Sequence, residues 1–540
     1  MKKPIILCLT TLALAALCGG AAAGQTTAQT TPDMSRYILT PKPADTPRIN
    51  GARIFGVRPG SEFLYTIAAT GVRPMTFSAE GLPKGLKLDA KTGRITGRVA
   101  APGKYTVKLK AKNALGSYDR DLKIVVGSEI ALTPPMGWNS WNCWARDVTQ
   151  EQVLSSARAM VESGLINHGW SYINIDDGWQ GKRGGKDNAI QPNTKFPDMK
   201  ALTREIHDMG LRVGIYSTPW VGTYAAHIGS YSDNPDGENE WIKKGQHNEH
   251  YRYQKEGGNY WKDRREYYHL GAYSFVKPDV KQWGEWDIDY LKYDWSPLDY
   301  YHVKEMHDAL QTLDRDVVYS LSNSAPYGDA PQWMQYSNCW RTTGEIRDTW
   351  ERVSSIGFSH DRWQPFNRPG HWADPDMLVI GMVGWGPKLH YTQLTADEQY
   401  THISLWSLLA APLLIGCDMA QMDDFTRSLL TNDEVIDVNQ DPLGLQAVPV
   451  WQEGDQVIYA KHLDDGSMAV GLFNRGWQPV KMTLTLRMLG LRGQQTVRDL
   501  WRQKDLAQCT DKFEATVAPH GVVLLKVYPG NSREEMPEKR

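Results

Sequence analysis

Three kinds of hydrophobic spacing follow one another along the chain. From residue 47 to 128, short runs alternate apolar and polar positions (FLYTIAA, KYTVKLKAKN, DLKIVVG) between turn-forming residues. That is the period-two signature of strands with one buried face, and it predicts a small β-sandwich. From 131 to 440 the rhythm changes. Segments with helical spacing, such as TQEQVLSSARAMVESG and TREIHDMG, fall between the strand-like runs MGWNSW, YINIDD, RVGIYS, YLKYDW, VVYSLS, CWRTTGE, HWADPDML and PLLIGCD. Strands alternating with helices over roughly three hundred residues predict a (β/α)8 TIM barrel. From 441 to 530 alternation returns (QVIYAKHL, MAVGLFNR, VKMTLTL, GVVLLKV), predicting a C-terminal antiparallel β-sandwich, with a polar tail over 531–540. Within it, Asp464-Asp465-Gly466 separates two alternating runs and predicts a tight hairpin turn.

The first 23 residues, MKKPIILCLTTLALAALCGGAAA, combine two lysines, an apolar run and a small-residue cleavage site. They predict a secretory signal cut after Ala23, and hence export to a bacterial periplasm or the exterior. Attachment of a lipid at Cys18 is the alternative, against which Leu17 stands. Residues 24–46, rich in Thr, Pro and Ala, predict a linker. No later stretch is long and apolar enough to span a membrane. With 60 basic and 62 acidic residues the net charge is −2, which offers no field for nucleic acid or an anionic surface. The four cysteines beyond the leader, Cys143, Cys339, Cys417 and Cys509, are too widely spaced to reveal a pairing. No metal-ligand spacing occurs, so neither metal nor other cofactor is expected. Oligomeric state is not legible. Tryptophan is overused, 21 against 10 phenylalanines; such rings serve a core, or stack on sugar faces.

Barrel active sites gather where the strands end at their C-terminal side. Polar and aromatic residues recur there: Trp138 and Trp141 after the first strand, Asp176, Asp177 and Trp179 after the second, Tyr216 on the third. Lys292 and Asp294 follow on the fourth, then Arg341, Glu345 and Asp348 after the sixth, and Asp374 and Asp376 on the seventh. A single strand-end aspartate serves well as a helix cap; a whole rim of them is harder to assign to capping. Neighbours on a strand point to opposite sides, so Asp176 and Asp177 meet one ligand only if the chain turns at Gly178. Carboxylates, an arginine and indoles, with no phosphate-binding loop, suit a neutral polyhydroxylated ligand. Cleaving a glycosidic bond would need two carboxyl groups in distinct roles.

The motifs TPPMGWNSW, YINIDDGWQ, GIYS, YLKYD, WRTTGEIRDTW, WADPDMLVIG and APLLIGCDM occur in the order found in glycoside hydrolase family 27, and NDEVIDVNQDPLG continues the likeness. The barrel therefore resembles the retaining α-galactosidases and α-N-acetylgalactosaminidases. GLPKGLKLDAKTGRITGRVAAPGKYTV in turn resembles the Ig-like modules of bacterial secreted enzymes. The family resemblance implies a nucleophile at Asp294, an acid/base at Glu345 and sugar contacts from Trp141, Asp176, Asp177, Tyr216, Lys292, Arg341 and Asp376. It implies as substrate an oligosaccharide or polysaccharide bearing terminal α-galactosyl-type residues.

Several positions depart from the family pattern. Glu345 stands where aspartate is usual, and a retaining pair sits about 5–5.5 Å apart, so Asp348 is the alternative acid. Gly178 and Ser296 replace cysteines that eukaryotic members carry. After the fifth strand, Ser322 and Ala325 resemble the small pair of the N-acetylgalactosaminidases, which makes that activity the alternative reading. β-L-arabinopyranosidase and isomalto-dextranase activities are further options, and a non-catalytic carbohydrate-binding protein is the option from a different class. The stretch from Trp220 to about Gly284 reads as a long insertion forming a wall or lid; its SDNPDGENE reads as a polar turn rather than a calcium loop.

Overall fold

The computed structural model describes residues 32–238 and 268–530. The predicted signal with Cys18, the start of the linker, the middle of the Trp220–Gly284 stretch and the polar tail lie outside the described residues.

The central barrel is built from β1 (Met136–Asn139), β2 (Tyr172–Asn174), β3 (Arg212–Ser217), β4 (Tyr290–Asp294), β5 (Val318–Ser322), β6 (Cys339–Arg341), β7 (Trp372–Asp374) and β8 (Leu413–Ile415). Each pairs in parallel with the one before it through β7, and β1 pairs in parallel with β8. A bridge from Leu378 to Ile415 joins the segment after β7 to β8 and closes the ring. The strands are buried almost throughout, as expected where helices cover the outside of a parallel sheet.

Helix α1 (Gln150–Glu162) begins at Thr149, whose hydroxyl accepts from the Gln152 amide while the Gln152 side chain returns to the Thr149 amide. This capping box satisfies two orphan donors. Its Val153, Leu154, Ala157 and Met160 form the buried stripe. The remaining helices used below are α2 (Met199–Asp208), α3 (Val276–Glu285), α4 (Tyr300–Leu310), α5 (Ala330–Tyr336), α6 (Trp350–Gly357) and α7 (Ala396–Leu408). Helix α7 is buried at every position except Asp397 because it lies between the barrel and the C-terminal sheet. Helix α3 corrects the expectation of one continuous insertion: the last part of the Trp220–Gly284 stretch is an ordinary barrel helix. Within SDNPDGENE, Asp236 accepts from the Glu238 amide at 2.9 Å and Asp233 pairs with His269 at 2.9 Å, the contacts of a polar turn; its last two residues lie outside the described ones.

The C-terminal part holds a six-stranded antiparallel sheet and a two-stranded one, Val480–Thr485 with Lys512–Val517. Gln456–His462 and Met468–Asn474 pair across the Asp464-Asp465-Gly466 turn, where Gly466 adopts φ +79° and donates to the Leu463 carbonyl. The N-terminal part is a four-stranded sheet facing a three-stranded one over a core that includes Phe63, Phe77, Ile95, Val107 and Ile124. It docks on the barrel end opposite the strand C-termini. There the Arg58 guanidinium donates to Asp316 at 2.7 Å, Arg315 pairs with Glu62 at 3.0 Å, and Thr66 donates to the Gly210 carbonyl at 2.8 Å. A cavity of about 600 Å³ lies in this junction, beside Tyr65, Arg98, Tyr172, His207 and Arg315.

Residues 33–46, expected as linker, are pinned to the barrel: Tyr400 donates its hydroxyl to the Tyr37 carbonyl at 2.7 Å and accepts from the Leu39 amide at 3.0 Å. Among the described residues ten tryptophans are less than 2% exposed, so much of the tryptophan excess is core. Cys143, Cys339, Cys417 and Cys509 are all free thiols. Among the described residues no helix is long and apolar enough to cross a membrane.

Candidate active site

The C-terminal ends of β1 to β7 bring the strand-end residues to one mouth. β2 stops at Asn174, and the chain then turns at Gly178, whose φ is +118° and whose hypothetical Cβ would lie 2.8 Å from the Arg146 carbonyl. Only glycine fits such a place. The turn leaves Asp176 and Asp177 both 1% exposed and both in the mouth.

Their surroundings differ. Asp176 has both oxygens engaged: Oδ2 accepts from Lys292 Nζ at 2.7 Å and Asn139 Nδ2 at 2.9 Å, and Oδ1 from the Asp177 amide at 2.8 Å. Asp177 Oδ2 accepts from the Ala225 amide at 2.7 Å, whereas its Oδ1 is buried with no hydrogen-bond partner. Burial, with the Asp176 charge adding to it, outweighs the Ala225 amide and Thr223 hydroxyl and pushes the Asp177 carboxyl up to about 7.

Asp294 closes β4, paired in register with Ser322 of β5. Its Oδ2 accepts from the Tyr216 hydroxyl at 3.2 Å, and its Oδ1 is buried without a partner. Burial raises its carboxyl above the ordinary value, opposed by the charges of Lys292 and Arg341. Burial also pulls Lys292 down, and Asp176 and Asp294 more than reverse this, so the ammonium is held above its usual range. Lys292 thus acts on Asp294 through charge while its direct bond is to Asp176, on the neighbouring face of the mouth.

Arg341, at the end of β6, pairs with Asp376 at 3.2 Å. Asp376 Oδ2 also accepts from the Ile346 amide at 2.8 Å, while the Asp376 amide donates to Asp374 Oδ1 at 2.8 Å. Burial, with Asp376 nearby, raises Asp374 to about 7.

The two carboxyls offered by the loop after β6 part company. Glu345 is exposed at the rim, with Arg347 3.8 Å away and its own carbonyl receiving Arg352 Nε at 2.7 Å. Asp348 is 3% exposed and occupied by the Gln393 amide and the His390 ring, each at 3.0 Å. Ser322 is buried with its hydroxyl unpartnered, and Ala325 is buried with its amide on the Arg341 carbonyl at 2.8 Å. Trp141 is half-buried beside the mouth, its amide bonded to Asn139 Oδ1 at 2.9 Å. Trp138 and Trp179, expected at the rim, are instead barrel core: both are 0% exposed, with indole nitrogens donating to the carbonyls of Cys417 and Tyr216.

Sequence reasoning missed three contributors. Asn139 orients Asp176, and the repeated Trp-Asn at 138–139 and 141–142 was its only signal. The Ala225 amide and Tyr224, whose hydroxyl accepts from Asn323 Nδ2, come from the long β3–α3 connection, where nothing in the letters marks them.

Taken together, the mouth holds carboxyls at 176, 177, 294, 345, 374 and 376 against two cations, Lys292 and Arg341. Such a field suits hydroxyl donors and stabilises positive charge that develops during a reaction. Buried acceptors without partners are costly, about 1–3 kcal/mol each, and in the mouth two carboxylate oxygens of this kind, Asp177 Oδ1 and Asp294 Oδ1, lie at the ends of β2 and β4.

A family model described as Alpha galactosidase A matches residues 133–242 and 262–441. One described as the Alpha galactosidase C-terminal beta sandwich domain matches 453–527, and one of an Ig domain matches 46–127. Alpha-galactosidase 2 of Arabidopsis thaliana is 34% identical over 74% of this chain and 90% of its own length. A Bacteroides fragilis crystal structure solved as a candidate alpha-galactosidase/melibiase is 33% identical, with TM-score 0.77 over 91% of this chain and 99% of that one. Alpha-galactosidase I of Mortierella vinacea is 30% identical, with TM-score 0.62 over 74% and 98% of the two chains.

Proposed function

Because the chain belongs to the alpha galactosidase A family, glycoside hydrolase family 27, we propose that it is an exported exo-α-galactosidase that removes terminal α-linked galactose with retention of configuration. The observation that carries this reading is the pair of buried, unpartnered carboxylate oxygens, Asp177 Oδ1 and Asp294 Oδ1, at one barrel mouth. Asp177 and Asp176 with Lys292 take the sugar hydroxyls, and Trp141 offers its ring as a stacking face.

Asp294 Oδ1 attacks the anomeric carbon as the glycosidic C–O bond breaks. Glu345 gives its proton to the departing oxygen. The resulting glycosyl ester on Asp294 is then opened by water, Glu345 taking the water proton, and the aspartate is released unchanged. Charge from Lys292 and Arg341 keeps Asp294 available as the carboxylate, and the surrounding acids stabilise the oxocarbenium-like transition state. Glu345 takes the acid role because Asp348 is occupied by Gln393 and His390.

A second reading, α-N-acetylgalactosaminidase, is favoured by the unpartnered Ser322 hydroxyl and the small Ala325. Tyr224, reaching across to Asn323, fills space on that side of the mouth and supports galactose. Parallel kcat/KM measurements on p-nitrophenyl α-galactoside, α-N-acetylgalactosaminide and α-glucoside separate the two. The galactoside is expected to exceed both others by more than about tenfold, that is about 1.4 kcal/mol in transition-state binding. Preference for the acetamido sugar would replace the first reading by the second.

A further inference from the structure

Trp477 is 73% exposed, the most exposed of the large apolar side chains among the described residues. It stands in the turn between the strands Met468–Asn474 and Val480–Thr485, and that turn is held firmly. Asn474, 3% exposed, donates to the carbonyls of Gln478 at 2.8 Å and Ala518 at 3.0 Å, and accepts from the Gly476 amide at 3.0 Å. The His520 amide closes onto the Gly476 carbonyl at 3.2 Å. The backbone thus fixes the position from which an indole is offered to solvent.

Beneath it runs a ladder of rings. Trp477 meets His520 at 4.2 Å and 66°, and His520 lies flat on Trp350 at 4.3 Å and 11°. Whether the histidine presents its edge to the indole face or its face to the indole edge, at least one full face of the indole remains in water. His520 is itself 4% exposed and tied through Nδ1 to Glu398 at 2.7 Å, while its Nε2 is buried with no partner.

The ladder has a definite place in the barrel. Helices of a (β/α)8 barrel start at the mouth end. Trp350 is the first residue of α6, and Glu398 lies in the first turn of α7. The loop carrying Glu345 leads directly into Trp350, and Asp348 in that loop is tied to Gln393, which leads into α7. Trp477 therefore flanks the mouth on the side of Glu345, where a leaving group departs.

We infer that Trp477 is a stacking platform for a pyranose ring of the substrate's leaving-group portion, a binding site on the C-terminal domain for a galactose-bearing polysaccharide. An indole face matches the apolar face of a pyranose, and stacking removes exposed apolar surface at little entropic cost. The inference rests on the glycosidase reading of the mouth.

Soluble galactomannan is the probe, with wild type, Trp477→Ala and Trp477→Phe compared in native gels containing the polymer and in kcat/KM on it, and p-nitrophenyl α-galactoside as control. Trp477→Ala is expected to lose most of the retardation in the gel and at least about fivefold in kcat/KM on the polymer. Trp477→Phe should retain a large part of both, and all three proteins should act equally on the small substrate. Equal retardation and equal polymer kinetics for wild type and Trp477→Ala would overturn the platform. Inactive wild type on the small substrate would instead overturn the reading of the mouth.

Discussion

At the scale of single residues, the mouth is defined by what each carboxylate already touches. Asp176 is saturated by Lys292, Asn139 and a backbone amide, whereas Asp177 and Asp294 each keep one oxygen uncommitted. The difference has a consequence for pH. The folded-state value of Asp177 is about 7, against roughly 3.9 for an unfolded chain. Between those values the folded protein binds the extra proton, so stability falls as pH rises through the window. Asp374, also raised to about 7, adds a slope of the same sign. Asp177→Asn removes the Asp177 contribution and leaves the others. Its melting temperature should therefore drop less than that of the wild type between about pH 5 and about pH 8, a relative gain of up to a few kcal/mol at the upper end. Identical melting shifts for the two proteins would contradict the raised value. Some of this was readable in the letters and some was not. The adjacent acids before Gly178 announce a turn, but the Ala225 amide lies 48 residues further on, and no local pattern encodes that meeting. Trp138 and Trp179 were misplaced because an indole at a strand end has the same letter whether it faces the ligand or the packed interior.

At the scale of elements, the loop from β6 to α6 divides its labour between two acids. Asp348 couples this loop to the one before α7 through Gln393 and His390. Glu345 stays at the rim with its carboxyl accessible. Glu345→Gln should then lose about 10²- to 10⁴-fold on a glycoside with a poor leaving group and far less on an activated aryl glycoside. Asp348→Asn should cost about 1–3 kcal/mol of stability and lower both rates by the same modest factor. The opposite pattern would move the acid role to Asp348. Which acid is which could not be read from spacing, because both lie within eight residues of Arg341; burial separates them, and burial is set by a partner loop more than forty residues away. The elements themselves were legible, since every barrel strand coincides with an apolar run and α1 with a capping box. The β3–α3 connection was not, because α3 follows an aromatic-rich stretch with no capping side chain to announce it.

At the scale of the whole molecule, the three parts meet the barrel in different places. The N-terminal sandwich grips the end away from the mouth through Arg58 and Arg315, while the C-terminal sheets lie against α7 and bring Trp477 to the mouth side. Division into parts was visible in the change of hydrophobic period, but the faces on which they dock were not, since those contacts join residues such as Arg58 and Asp316 that are remote in sequence. The central claim concerns the reaction at the mouth: attack by Asp294 on the face opposite the leaving group, followed by water from the face the leaving group has vacated. Proton NMR of the sugar first released from an aryl α-galactoside, before mutarotation, tests it most directly. The account predicts that the α-anomer of galactose appears first. Initial release of the β-anomer would mean single displacement, and would contradict the covalent role given to Asp294.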